Sequence, residues 1–445
     1  MDGSITQLGL NNYLINKEGN SVSFFHNAYK NYSNYAKDTR EVNFKNNVNF
    51  GQKSSFRIDE DGKFGDLITN IVIAIDLPEL SSYTNTNGKK FGYCNGVGNA
   101  LIKTIELKIG NTLIDSHTGE WLDIYGDLTV KPGCKDNYYS MIQKYNDNDY
   151  SPINFTGGRV YIPLQFWFCR NITSRNSSLV FPLASLYNSV IELTVDFKSL
   201  SNILATEDNV LTGAPTLNIQ DSQLLVDYII LEEEERSRYM NIPKQLNIIN
   251  QVQTYEYSVG ESITEQTFSL KSMKYPITEF LFILRRNDSS TTYNDYFNYS
   301  KTNKTDIVNK SNPIKNVRLM FDGKDRIKTT PATVFTQLEP TKVHTNTPVN
   351  KYIHVYSFAL EPEKIEQPNG VCNFSELQEP QLHLSFNSGI ASSTLFIYAV
   401  NYNVLMSISG SGYLLHSLSK ATPSTFPDVN CIPDEPTPII KNNKK

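Results

Sequence analysis

The feature that most constrains this chain is an internal repeat of strand-like patterns. Ile102–Ile109 alternates apolar and polar residues, and Ile314–Leu319 repeats its pattern in the second half. Upstream of these two segments, Ile68–Ile71 matches Ile277–Phe280 at nearly the same separation. Strict alternation indicates a β-strand with one face in the core and one face in water.

Further matches follow in the same order along both halves. They pair Trp121–Leu128 with Thr333–Leu338, Val160–Leu164 with Val355–Phe358, and Phe181–Leu186 with Cys372–Leu377. Any one match is weak, but an ordered series indicates two copies of one unit. We place the copies at 24–236 and 237–418, after a polar arm, 1–23, and before a Pro-rich tail, 419–445.

A unit of many antiparallel strands with a short helix suits a jelly roll, in which two sheets pack face to face. We therefore predict an all-β fold of two consecutive eight-stranded antiparallel jelly-roll sandwiches, with short helices in loops. The 26 Tyr and 23 Phe agree, because aromatic residues favour strands. Codon bias toward Asn, Lys, Ile and Tyr explains part of this composition but not the alternation. The polar stretch 287–312 is predicted to be a long surface loop, where recognition or variability concentrates.

Charge, cysteines and hydropathy limit the compartment and the partners. The net charge of -5 lacks the basic excess of a nucleic-acid binder, so we expect no direct nucleic-acid contact. The 5 cysteines are widely spaced and form no C-x-x-C motif, which is typical of reduced thiols in a cytosol. The start, Met1–Gln7, shows no signal peptide, and no apolar run reaches the length of a membrane span.

A search for chemistry yields no convincing constellation. The 6 histidines are scattered without metal-ligand spacing. Gly96–Gly98 lacks the third glycine of a dinucleotide motif, and Asp147–Asp149 lacks the glycine and glutamate of a calcium loop. Asp59–Asp61 reads as a solvated turn. We predict no catalytic, cofactor or metal site, and a structural rather than enzymatic role.

Several segments, taken in order, support a family resemblance. The most characteristic is Ile105–Gly110 with Ile114–His117 and Glu120–Leu122. The others are Asn20–Ala36, Gly65–Ile68, Tyr161–Phe168, Val226–Leu231, Val355–Leu360, Cys372–Ser375 and Tyr398–Leu405. Together they resemble the major capsid protein of the nucleocytoplasmic large DNA viruses over almost the whole chain.

The resemblance implies a double jelly roll that forms a homotrimer, a pseudo-hexameric capsomer that tiles an icosahedral shell. Implied partners are two further copies of the chain, neighbouring capsomers, and minor capsid proteins reached through the arm and the tail. An inner membrane nearby and host glycans at exposed loops are further expected contacts. The implied location is the virion capsid, assembled in the host cytoplasm.

Two other classes of function remain open from the residues. A glycan-binding β-sandwich for host attachment is suggested by the Tyr- and Asn-rich loops, and this role can coexist with a capsid. A β-sandwich hydrolase would need two carboxylates facing one cleft, and no such pair can be assigned.

Overall fold

The structure, a computed structural model, describes residues 34–58, 64–146, 149–170, 179–304, 306 and 309–416. The predicted arm and tail therefore lie outside the described residues, as do Asp59–Asp61. Within the described ranges, no helix is both long and apolar enough to cross a membrane.

The first half of the described chain forms strands β1 to β10. Their bounds are β1 (Tyr35–Asn43), β2 (Lys53–Ile58), β3 (Leu67–Leu77), β4 (Gly92–Tyr93), β5 (Ile102–Ile109), β6 (Thr112–Thr118), β7 (Gly158–Pro163), β8 (Ile191–Phe197), β9 (Leu204–Ala205) and β10 (Asp221–Leu231). The alternation predicted for β5 is confirmed, since Ile105, Leu107 and Ile109 are buried while Lys103 is exposed. Gly110 then adopts a left-handed φ of 58° in the turn to β6, a conformation that favours glycine.

The second half forms strands β11 to β20. Their bounds are β11 (Lys244–Val259), β12 (Glu265–Ser269), β13 (Pro276–Arg286), β14 (Ile314–Phe321), β15 (Lys324–Pro331), β16 (His354–Ser357), β17 (Cys372–Asn373), β18 (Pro380–Phe386), β19 (Ser393–Ile408) and β20 (Ser411–Leu414).

Helices occupy the connections between strands. The α-helices span Val97–Leu101, Gly119–Thr129, Lys135–Ile142, Leu200–Ile203, Glu233–Asn241, Asn287–Thr291 and Glu339–Val343. Shorter 3-10 turns span Pro132–Cys134, Pro152–Asn154 and Leu183–Leu186, and a π-helical turn spans Val334–Leu338. Apolar residues of the sequence Gly119–Val130 recur at helical spacing, which predicts a helix after β6, and the structure confirms it. It begins at an N-cap, where the Thr118 hydroxyl accepts a hydrogen bond from the Trp121 backbone N–H at 3.2 Å.

The strand order is the same in both halves, which confirms the predicted double jelly roll. The first sandwich pairs a sheet of order β1-β10-β3-β7 with a sheet of order β2-β8-β5-β6. The second sandwich repeats this as β11-β19-β13-β16 and β12-β18-β14-β15, and β17 and β20 extend the first of these sheets. All the pairings are antiparallel.

The repeat found in the sequence has a direct counterpart in the pairing. Ile68 forms an isolated antiparallel bridge with Phe181, and its match Ile277 pairs with Cys372. Phe181 and Cys372 begin the two segments that the sequence comparison also placed opposite each other. The matched residues therefore occupy the same positions in the two sheets.

Two sequence predictions of local structure are wrong. The sequence Val160–Phe168 is nearly all apolar, which predicts one buried strand over the whole segment. The strand instead ends at Pro163, because the chain then turns and places Phe166, Trp167 and Phe168 in the core as a loop. The polar edge strands β1 and β15 were missed. Edge strands expose charged side chains to water, so they do not show the alternation that reveals a half-buried strand.

Two large hydrophobic clusters form most of the core of the described residues, beside a small third one of Val130, Tyr138 and Ile142. The boundary between the two large clusters runs through single strands of the second sandwich. Phe280 and Phe282 of β13 belong to a cluster made only by the second sandwich, whereas Leu281 and Ile283 join the cluster of the first. Strand β19 divides in the same way. Both faces of this sheet are therefore buried, which explains the nearly continuous apolar sequence of β13.

Candidate functional site

The candidate functional site is the packed interface between the two sandwiches. At its centre, edge strand β6 of the first sandwich faces edge strand β11 of the second. The Val252 backbone N–H donates to the Asp115 carboxylate at 3.0 Å, and the Gln251 side-chain amide donates to the Ile114 carbonyl. These contacts satisfy polar groups that an open sheet edge would expose to other chains.

His117 and Asp115 form a fully buried pair beneath these contacts. Their Nε2 and Oδ2 atoms lie 3.0 Å apart, and neither side chain is exposed. The His117 ring stacks on Phe166 with centroids 4.6 Å apart. Asp115 therefore turns one carboxylate oxygen to the second sandwich and the other to His117, which gives the pair a structural place in the interface.

The Gly119–Thr129 helix is enclosed between the sandwiches, and every one of its residues is buried. Trp121 packs against Tyr125 of the same helix and against Tyr398 of β19, with ring centroids 5.0 Å and 5.5 Å away. Burial raises the pKa of the Tyr398 hydroxyl well above its usual value, so this group stays neutral. The aromatic stack gives the interface a rigid apolar centre.

A buried ion triad crosses the interface. Glu120 Oε1 lies 2.6 Å from an Arg285 nitrogen of the second sandwich and 3.4 Å from Lys198 Nζ of the first. Burial would raise the pKa of Glu120, but the two cations outweigh it and hold the pKa at about 2. Burial and the nearby Arg285 lower the pKa of Lys198 despite the carboxylate, whereas the pKa of Arg285 is raised. Arg285 is therefore the stronger partner of Glu120, as its shorter distance indicates.

The segment 287–312 contradicts its prediction as an open surface loop. It begins with the Asn287–Thr291 helix, and its residues Tyr296, Phe297 and Tyr299 are buried in the core cluster of the first sandwich. Asn294 Nδ2 donates to two backbone carbonyls of the first sandwich, each at 2.8 Å. The polar composition of the segment did not indicate that it packs into the core, although its closely spaced aromatic residues could have indicated burial.

A second buried ion cluster lies beside the helix. Lys144 Nζ lies 2.7 Å from Asp123 and 3.0 Å from Asp127. Burial works against the charge of Lys144, but the two carboxylates raise its pKa well above the usual value. Its ammonium also lies 5.7 Å from the Phe297 ring centroid of the second sandwich. This cluster therefore contacts the segment 287–312 through Phe297.

The loop before β16 also contacts the end of the Gly119–Thr129 helix. Asn346 donates through its backbone N–H to the Leu128 carbonyl at 2.8 Å and through its side chain to the Val130 carbonyl. Two residues earlier, His344 lies 3.0 Å from both Glu279 and Glu363. Burial alone would lower the pKa of His344, but the two carboxylates raise it to about 9. The imidazole is therefore charged at neutral pH and holds this loop in place.

The other histidines that the structure describes lie apart from one another. His354 stacks on Phe282 and burial lowers its pKa to about 3, while His383 and His416 lie on different strands or loops. Among the described residues, no group of three or more His, Cys, Asp or Glu side chains could hold a metal ion. Gly96–Gly98 forms the start of a buried helix, packed closely against Ile142.

Sequence reasoning named no site residue and missed this interface. Its signal was the loss of alternation in β13 and β19, which marks strands buried on both faces. The charged groups of the triad gave no such signal, because charges that lie far apart in sequence reveal nothing about their pairing.

Comparison with known proteins places this architecture in a family. Residues 23–232 match the model "Major capsid protein N-terminus", and residues 235–412 match "Large eukaryotic DNA virus major capsid protein". The major capsid protein of Pyramimonas orientalis virus is 27% identical over 405 residues, covering 89% of this chain and 94% of the relative. That of Paramecium bursaria Chlorella virus 1 is 26% identical over 448 residues, covering 89% and 94%.

Solved structures agree on the fold. The protein in a quasi-atomic model of the PBCV-1 virus capsid superposes with a TM-score of 0.72 at 24% identity, covering 89% of this chain and all of that one. These comparisons give no support to the glycan-binding alternative. Two family models in succession, curated relatives and a shared double sandwich lead to one conclusion: the chain belongs to the major capsid proteins of the nucleocytoplasmic large DNA viruses.

Proposed function

We propose that three copies of this chain associate so that six sandwiches form a pseudo-hexameric capsomer, the tile of an icosahedral shell. Two sandwiches of the same strand order in one chain support this proposal. Threefold symmetry then presents the same kind of lobe six times around one axis.

The observation that carries the proposal is the rigid interface between the sandwiches. A tile must hold its lobes at fixed angles, because its neighbours meet it on every side. Domains joined by small polar surfaces move relative to one another, whereas large apolar interfaces hold them fixed. Here a single hydrophobic cluster contains residues of both sandwiches, with the Glu120–Arg285 ion pair crossing between them.

Size-exclusion chromatography with light scattering, run at micromolar concentration, tests the assembly directly. The expected species has about three times the chain mass of 50.5 kDa. Negative-stain electron microscopy of the same sample should show hexagonal blocks. A monomer that persists at micromolar concentration would refute the trimer.

Further partners follow from the same proposal. Neighbouring capsomers meet the outer sides of the tile, and minor capsid proteins meet the arm 1–23 and the tail 419–445, near an inner membrane. The units 24–236 and 237–418 are the proposed domain boundaries. We place assembly in the host cytoplasm and assign the chain no enzymatic activity.

A further inference from the structure

One end of the second sandwich presents an apolar sheet face to solvent. Leu246 of β11 lies opposite Met406 of β19, which lies opposite Tyr413 of β20. In the adjacent row, Ile248 pairs with Val404, whose carbonyl accepts a hydrogen bond from the Leu415 N–H at 2.9 Å. We call these six residues the apolar outer face.

The same strands are packed on their opposite side. Leu405 and Leu414 are buried there, and Ser407 donates to the Ser185 carbonyl of the first sandwich. The outer face has no such cover among the described residues, since Leu246 is 59% exposed and Tyr413 is 46% exposed. A contiguous apolar face on an edge strand marks a binding surface or an aggregation hazard.

We propose that residues 417–445 of the same chain bind across the apolar outer face. The described chain ends at His416, one residue after Leu415, so this segment starts at the border of the face. His416 is anchored there, because its backbone N–H and C=O both bond to the Asn403 side chain, at 3.2 Å and 2.7 Å. A tether this short gives the segment a high effective concentration at the face.

The composition of residues 417–445 suits this face. Phe426, Ile432 and Ile439–Ile440 supply apolar side chains, and five prolines favour an extended chain at about 3 Å per residue. That reach is ample for the face, which is two rows deep and three strands wide.

Charge complements the apolar match. The segment ends with Lys441, Lys444 and Lys445. The acidic run 232–235 leads into the Glu233–Asn241 helix, which continues through exposed Ile242 into β11, the strand that carries the face. This acidic run lies at the end of the helix away from β11, so the basic end of the segment would reach it only beyond the apolar outer face.

Cys431 lies within the proposed segment and serves as a natural reporter. The experiment uses the full chain with Leu246→Cys in a Cys134→Ser, Cys372→Ser background, treated with a short bis-maleimide. The matched control is Leu360→Cys, because Leu360 is an apolar side chain, 77% exposed, outside the face. Tethered contact predicts a cross-link from Cys431 to position 246 in yield about tenfold above that to position 360.

The product must have the mass of one chain, as read by denaturing electrophoresis and peptide mass spectrometry. A product that joins two chains, equal yields at positions 246 and 360, or no product at position 246 would each overturn the proposal. As a second measurement, Leu246→Lys in the full chain should speed the reaction of Cys431 with a soluble thiol reagent, and an unchanged rate would also overturn it.

Discussion

Replacing Glu120 with glutamine removes the one carboxylate of the ion triad while keeping its size. Arg285 and Lys198 then remain buried without a counter-charge, with side chains only 13% and 11% exposed. The loss can be estimated from the pKa of Glu120, which the fold lowers from 4.5 to about 2. At 1.36 kcal/mol per pKa unit, this corresponds to about 3 kcal/mol. Breaking a buried ion pair by removing one partner typically costs a similar amount.

Urea denaturation at pH 7 measures this loss as a change in the free energy of unfolding. The matched control is Asp325→Asn, which breaks the Arg318–Asp325 pair on the surface. Its atoms lie 2.7 Å apart, nearly the Glu120–Arg285 distance, but the side chains are 39% and 28% exposed. Screening by water limits such a pair to about 1 kcal/mol or less.

The pH dependence provides a further check. Because the folded pKa of Glu120 is below its unfolded value, the stabilisation is complete above pH 4.5 and is lost as the pH falls toward 2. The stability difference between wild type and Glu120→Gln should therefore shrink on acidification. A loss of unfolding free energy no larger than that of Asp325→Asn, or one independent of pH, would refute the conclusion that Glu120 stabilises the interface through its buried ion pair.

Two other predictions concern His344 and the buried helix. The pKa of His344 is raised from 6.5 to about 9, so its stabilisation is complete below pH 6.5 and is lost as the pH rises through 9. Urea midpoints at pH 6 and pH 9.5 should show this loss in wild type, and His344→Gln should abolish that part of the difference. Gly119→Ala should lower the melting temperature strongly, because the new Cβ would lie 2.1 Å from a backbone carbonyl oxygen. Gly133→Ala, which meets open space, should leave it nearly unchanged, and similar effects of both would contradict the packing argument.

The parts of the fold that could be predicted from sequence are those with local signals. Strand β5 alternates because one face is in water, and the apolar residues of Trp121–Leu128 recur at helical spacing. The interface escaped prediction because it joins residues far apart in the chain, such as Glu120 and Arg285. The segment 287–312 was wrongly predicted to be a surface loop for a related reason. Its polar side chains satisfy backbone groups of the first sandwich, as Asn294 does, so a polar composition accompanied burial.

The shared hydrophobic cluster has a consequence for how the chain is made. Tyr296 and Tyr398 complete the core of the first sandwich but leave the ribosome long after Leu231, where that sandwich's last strand ends. At about 5–20 residues per second, Tyr398 follows Leu231 by roughly 8–33 s, and the nascent first half exposes apolar surface for that time. We therefore expect chaperones that shield this surface to raise the yield of the folded protein. Expressing the first half alone should give aggregates rather than a smaller soluble module.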